Sequence, residues 1–161
     1  MAFGREDATH IAATSLALAE GLAKRGVKVF GAGRSMTQSR HVVVAGHPFG
    51  GGRAASRLLS GSNRLACGIG LPMADIPGDV NGLRLGTPEI VRWGMGPGDM
   101  DVLAGFFDDV LNGARAAQSV APEVTAGRRG GSTLPFARQG ARRDRAGCLP
   151  ANWYRAARRG R

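Results

Sequence analysis

The residues best placed to do chemistry stand together between Asn81 and Met95, in the run NGLRLGTPEIVRWGM. Arg84 lies between Leu83 and Leu85, an alternation that gives a short strand with the arginine on the face opposite both leucines. Gly86 follows, then Thr87-Pro88-Glu89: an N-cap type, a residue suited to the first helical position, and an acid that favours the positive end of a helix. A guanidinium carried on a strand beside a helix start is a rigid two-pronged clamp for a carboxylate. The competing reading is an arginine that only ties down its own loop. Arg92, in the same run, is placed to hydrogen-bond the carbonyls at the end of the helix that Pro88 begins.

Other reactive residue types lack the company their chemistry needs. Gly31-Ala32-Gly33 opens like a dinucleotide loop, but Met36 stands where its third glycine belongs. The glycines from Gly46 to Gly51 are spaced like a phosphate loop, but Gly52-Arg53 follows instead of a Lys-Ser or Lys-Thr pair. His10, His41 and His47 have no metal-ligand spacing, and no Ser-His-Asp arrangement is suggested. Cys67 and Cys148 are too few for a metal site or a disulfide framework, and Cys67 reads as a small thiol buried in an apolar strand.

The elements that must position Arg84 follow from periodicity and glycine stops. A helix is expected from Asp7 to Lys24, with Ala8, Ile11, Ala12, Ser15, Leu18, Ala19 and Leu22 on one face and Gly26 ending it. Strands are expected at Val27–Phe30, His41–Ala45, Leu65–Cys67 and Leu83–Leu85. Further helices are expected at Ala54–Leu59, Pro88–Trp93 and Asp99–Leu111, the last closed by Gly113. The fold class is α+β: three or four mostly antiparallel strands with helices on one face.

The 161 residues allow one ordinary domain, and 43% apolar content is enough for a core. The formal net charge of +10 is unevenly spread: residues 112–161 hold eleven arginines against two acids, a net +9. The body therefore runs from 6 to 112, and 113–161 is expected to be an Arg/Gly-rich, disordered tail. Glu6 and Asp7 precede the first apolar run and Glu20 interrupts it, unlike a secretion signal. No apolar run approaches membrane-spanning length, so a cytoplasmic location is expected.

Asn81, Gly82, Leu83, Arg84, Leu85, Gly86, Thr87 and Pro88, then Arg92, Gly94 and Met95, resemble a segment of the C-terminal domain of the serine hydroxymethyltransferase family. The resemblance covers roughly residues 8 to 112. It implies the small C-terminal domain of an aspartate-aminotransferase-type enzyme that uses pyridoxal phosphate. It also implies a homo-oligomer that moves a hydroxymethyl group between serine and glycine, or an analogue, and tetrahydrofolate. Arg84 would bind the carboxylate of the amino-acid substrate, with Asn81, Thr87 and Arg92 in support. His41 opens a strand where the family often carries a histidine nearby, which implies a substrate-side role.

Two departures from the family stand out. The loop Cys67-Gly68-Ile69-Gly70-Leu71-Pro72 has no amide side chain where many members carry a folate-contacting asparagine. That fits a divergent branch acting on an alpha-substituted serine. The chain's only lysines, Lys24 and Lys28, flank Gly26 without the threonine-rich run that precedes the family's cofactor lysine. The cofactor lysine and phosphate cup are therefore expected in a separate large domain, and this chain alone is expected to be inactive. The alternative is a non-catalytic protein whose basic tail binds nucleic acid or an acidic partner. Any segment of that charge holds polyanions at low salt, so such binding alone would not establish a nucleic-acid function.

Overall fold

The computed structural model describes residues 3–61 and 66–129. Helix α1 (Phe3–Lys24) opens it, and burial of Thr14, Ser15, Leu18, Ala19 and Leu22 follows helical spacing. Gly26, at φ +81°, stops it. The N–H of Val27 donates to the carbonyl of Leu22 and that of Gly26 to Ala23, so the last turn's carbonyls are closed by a left-handed glycine.

Three strands follow: β1 (His41–Ala45), β2 (Ala66–Ile69) and β3 (Gly82–Gly86). The order is β1-β3-β2, antiparallel throughout, with β3 in the centre. The expected strand at Val27–Phe30 is reduced to a single bridge between Val29 and Val44. Two hydrogen bonds, Phe30 N–H to Val43 and Ala45 N–H to Lys28, lay this segment along β1. The turn at Gly26 and the left-handed Gly31, φ +83°, leave it no length to pair further.

Helix α2 (Gly52–Ser60) precedes β2, the short α3 (Pro88–Arg92) follows β3, and α4 (Met100–Leu111) follows a 3-10 turn at Pro97–Asp99. Val42, Val44, Leu83 and Leu85 point from the sheet into one core with Leu18 and Leu22 of α1, Ala55 and Leu59 of α2, and Met100, Leu103, Phe107 and Leu111 of α4. All the described helices thus cover one face of the sheet, and among the described residues no helix covers the other. Where α1 crosses α4, a Cβ on Gly21 would come within 2.9 Å of the Ala104 Cβ, so the missing side chain sets the spacing. Arg25 pairs with Asp101 at 2.8 Å on the exposed side of that crossing.

The chain does not lose its elements at Gly113. A fifth helix, α5 (Ala117–Arg129), follows, and Val120 is fully buried against the core. Arg115 bridges Glu123 across its first turns. The remainder of the expected tail, with Cys148, lies outside the described residues.

Candidate functional site

β3 carries the site. Its burial alternates so that Leu83 and Leu85 are in the core and Arg84 is exposed on the opposite face. The register places Val43 of β1 and Cys67 of β2 directly opposite Arg84, on the same face. Gly82 and Gly86, the next residues along that face of β3, add no side chains of their own, and the Leu71 side chain packs over Gly82. Arg84 Nε donates to Cys67 Sγ at 3.2 Å. Among the described residues no carboxylate pairs with Arg84 and no loop carbonyl holds its terminal nitrogens. The loop-tying role that competed with the clamp has no support in these contacts. Cys67, expected to be buried, is half-exposed, because its side chain belongs to that opposite face and not to the core.

His41 shares that face at the end of β1, opposite Gly86. Burial lowers its pKa below the ordinary histidine value, and the neighbouring positive charges of Arg84 and Arg40 push it further down. Its ring therefore takes up a proton less readily than an ordinary histidine. An anion seated at Arg84 would relieve part of that repulsion.

The other expected supporters take different parts. Asn81 is 3% exposed and works on the preceding loop. Its Oδ1 accepts the N–H of Leu71 at 2.6 Å, and its Nδ2 donates to the carbonyls of Leu71, Met73 and Ala74 at 3.0–3.1 Å. It thus pins residues 71–74 beside the entry to β3. Thr87 is the residue before α3, but its hydroxyl makes no cap hydrogen bond. It is fully buried, 2.6 Å from Ser15 Oγ, and within reach of the Ile11 carbonyl at 3.2 Å. The N-cap expectation is corrected: the hydroxyl faces α1 and clasps that helix to the end of the arginine strand. Arg92 is exposed on α3 and its side chain makes no hydrogen bond among the described residues, so it is not seen to hold the turn. The turn is held by backbone bonds from Trp93 and Gly94, and by Trp93 Nε1 donating to Glu89 Oε1 at 3.0 Å.

Asp79 has a structural role that spacing could not show. Its Oδ1 accepts from Arg53 N–H and its Oδ2 from Ala54 N–H, both at 3.0 Å, so it caps α2 from 25 residues downstream. Burial works to raise its pKa, but the hydrogen bonds from Arg53, Ala54 and Val80 outweigh this and hold the carboxyl below its ordinary range. With Gly52 N–H on Val80 and Ala55 N–H on Gly51, all four opening amides of α2 have partners. The glycine loop before α2 consequently has no amide cradle to offer a phosphate. Its glycines serve close approach instead: a Cβ on Gly52 would collide with the Gly82 carbonyl oxygen.

Lys24 and Lys28 are both exposed. Pyridoxal phosphate needs an enclosed lysine amine and donors around its phosphate. The described residues supply neither of those, so they do not fit the cofactor as its holders. Among them there is also no cluster of metal-ligating side chains, and no helix is long and apolar enough to cross a membrane.

An L-threonine transaldolase from Pseudomonas fluorescens, solved in its internal aldimine state, matches this fold. The TM-score is 0.63 and the identity 26%, over 83% of this chain and 30% of that one. The fold is that of the small domain of an aspartate-aminotransferase-type, pyridoxal-phosphate-dependent enzyme. No protein-family profile matches the chain. It is 51% identical to an alpha-methylserine aldolase from Ralstonia sp. over 136 residues, 84% of this chain and 31% of the aldolase. It is 41% identical to a serine hydroxymethyltransferase from Saccharolobus solfataricus over 112 residues, 68% of this chain and 26% of that enzyme. The chain belongs to the serine hydroxymethyltransferase family, in its C-terminal domain. It spans less than a third of the length of these relatives.

Proposed function

We propose that this chain is the substrate-carboxylate domain of an enzyme that cleaves or forms the bond between Cα and a hydroxymethyl carbon in an alpha-substituted serine. Arg84 is the carboxylate clamp, and the observation that carries the reading is its setting. It is an exposed guanidinium on the central strand, its terminal nitrogens free of protein partners among the described residues, with glycines on either side along the strand. A fixed arginine fork recognises a carboxylate through two parallel hydrogen bonds. Asn81 and Thr87 support the clamp indirectly, by fixing the loop and the helix that bound β3. Pyridoxal phosphate, held by the rest of the enzyme, supplies the electron sink that makes cleavage at Cα feasible.

The higher identity to the aldolase than to the hydroxymethyltransferase favours an alpha-substituted serine over serine itself. The loop 67–72, with no amide side chain, favours a reaction that proceeds without tetrahydrofolate. The remaining parts of the reading, a homo-oligomeric cytoplasmic enzyme and no activity from this chain alone, rest on the family resemblance and on the exposed positions of Lys24 and Lys28.

The test is reconstitution. The chain is joined to the remainder of the Ralstonia aldolase and assayed for aldehyde release from alpha-methylserine, with and without tetrahydrofolate. Folate-independent release is expected, and Arg84→Gln should raise KM for the amino acid by about 100-fold, the worth of a charge-assisted bidentate contact of roughly 3 kcal/mol. An unchanged KM in that variant would remove the clamp from the reading, and strict folate dependence would remove the aldolase assignment.

A further inference from the structure

The thiol opposite Arg84 has no part in the activity proposed above, yet it makes the only side-chain hydrogen bond seen for Arg84 among the described residues. Antiparallel register fixes this meeting: Cys67 and Arg84 are direct partners across β2 and β3, so both side chains leave the sheet on the same side. Gly82 and Gly86 give the arginine no packing along its own strand. Its other cross-strand neighbour, Val43, has no acceptor. A long exposed side chain has several rotamers open to it, and ordering it costs free energy that the ligand must supply.

We propose that Cys67 is the positioning residue of the carboxylate clamp: by accepting Arg84 Nε–H on its sulfur, it fixes the guanidinium so that the two terminal nitrogens, and not the Nε edge, face the substrate carboxylate. The inference rests on the carboxylate reading of Arg84. An arginine can hold a carboxylate by its Nε–Nη edge or by its two Nη groups, and the first of these is occupied here. The ligand therefore meets a pre-oriented end-on fork, at a smaller entropic cost than with a free side chain.

The experiment uses the full chain, labelled with 15N, and follows the Arg84 Nε–Hε resonance while L-serine is added. Serinol, which lacks the carboxylate, is the control. Expected in the native chain is a slowly exchanging Nε–Hε signal before any ligand is present, and shifts with serine but not with serinol. Cys67→Ala should speed exchange of that proton and weaken serine about two- to fivefold, the ordinary worth of one modest hydrogen bond. Cys67→Ser, which restores an acceptor, should recover both to within twofold. If Cys67→Ala leaves exchange and affinity unchanged while Arg84→Gln abolishes serine binding, positioning by the thiol is wrong and the carboxylate reading stands. If Cys67→Ala weakens binding and the folded serine variant fails to recover it, the sulfur acts by packing and the hydrogen-bond role is overturned. If Arg84→Gln binds serine as the native chain does, the clamp and the positioning role fall together.

Discussion

Thr87 offers a sharp quantitative test because two roles for one hydroxyl predict opposite results. In the structure the hydroxyl is fully buried, 2.6 Å from the equally buried Ser15 Oγ, and bridges helix α1 to the end of the arginine strand. Thr87→Val keeps the shape and removes the oxygen. It forfeits one neutral hydrogen bond, about 1 kcal/mol net, and leaves the Ser15 hydroxyl buried without this partner, about 1 kcal/mol more, for a total of roughly 2 kcal/mol. Ser15→Ala should cost only about 1 kcal/mol. Thr87 still has the Ile11 carbonyl at 3.2 Å, and alanine is the better helix former. With both changes no lone hydroxyl remains, so the double variant should lose about 1.5 to 2 kcal/mol in place of the roughly 3 expected from independent sites. Urea denaturation at neutral pH, with the slope m checked for constancy, measures all three. Losses that add to within about 0.3 kcal/mol would refute the pairing. Thr87→Asp separates the roles independently. Aspartate is at least as good an N-cap as threonine, so a capping role predicts no loss, whereas the clasp predicts severe destabilisation from a carboxylate buried against Ser15.

Three further outcomes follow from the same contacts. Gly52→Ala should cost about 3 kcal/mol or prevent folding, since its Cβ would meet the backbone carbonyl of Gly82, which cannot swing aside; circular dichroism melting reads this directly. Asp79, Asp101 and Glu123 all titrate below their ordinary values, so each adds stability that is present above the unfolded carboxylate range and lost as pH falls through its folded value. The urea midpoint should therefore drop on acidification from about pH 5 towards pH 3, and Asp79→Asn should flatten part of that fall. His41 should titrate below an unfolded-peptide histidine in the free chain, and its pKa should rise when serine but not serinol is added, as seen by proton NMR of the ring. A value unmoved by the carboxylate would place the ligand away from Arg84.

The sequence exposes most of this fold because the elements are coded locally. The apolar spacing from Ile11 to Leu22 and the Gly26 stop mark α1, the valines of 42–44 mark β1, and the Leu-Arg-Leu alternation states which face of β3 Arg84 occupies. What was hidden depends on residues far apart in the chain. Thr87 is a good N-cap in type, but the hydroxyl of Ser15, 72 residues earlier, is a buried partner that local spacing does not show. Asp79 has no local motif, and its use becomes visible only once α2 is folded back against it. Val27–Phe30 has strand composition but is cut short by the glycine turns at both ends. Helix α5 is masked in the sequence by the arginine excess that begins after Asn112, although its first turn carries Ala117 and the fully buried Val120 against the core.

Asn81 reads only backbone. Its amide hydrogen-bonds one N–H and three carbonyls of residues 71–74. The address of that loop is thus written at position 81, while its chemistry is written in Leu71, Met73 and Ala74. The two can change separately. Substitutions in the loop can remodel the rim of the site without moving it, provided the amide stays. A lineage holding this asparagine can vary the exposed side chains of that loop with the arginine strand beneath left untouched.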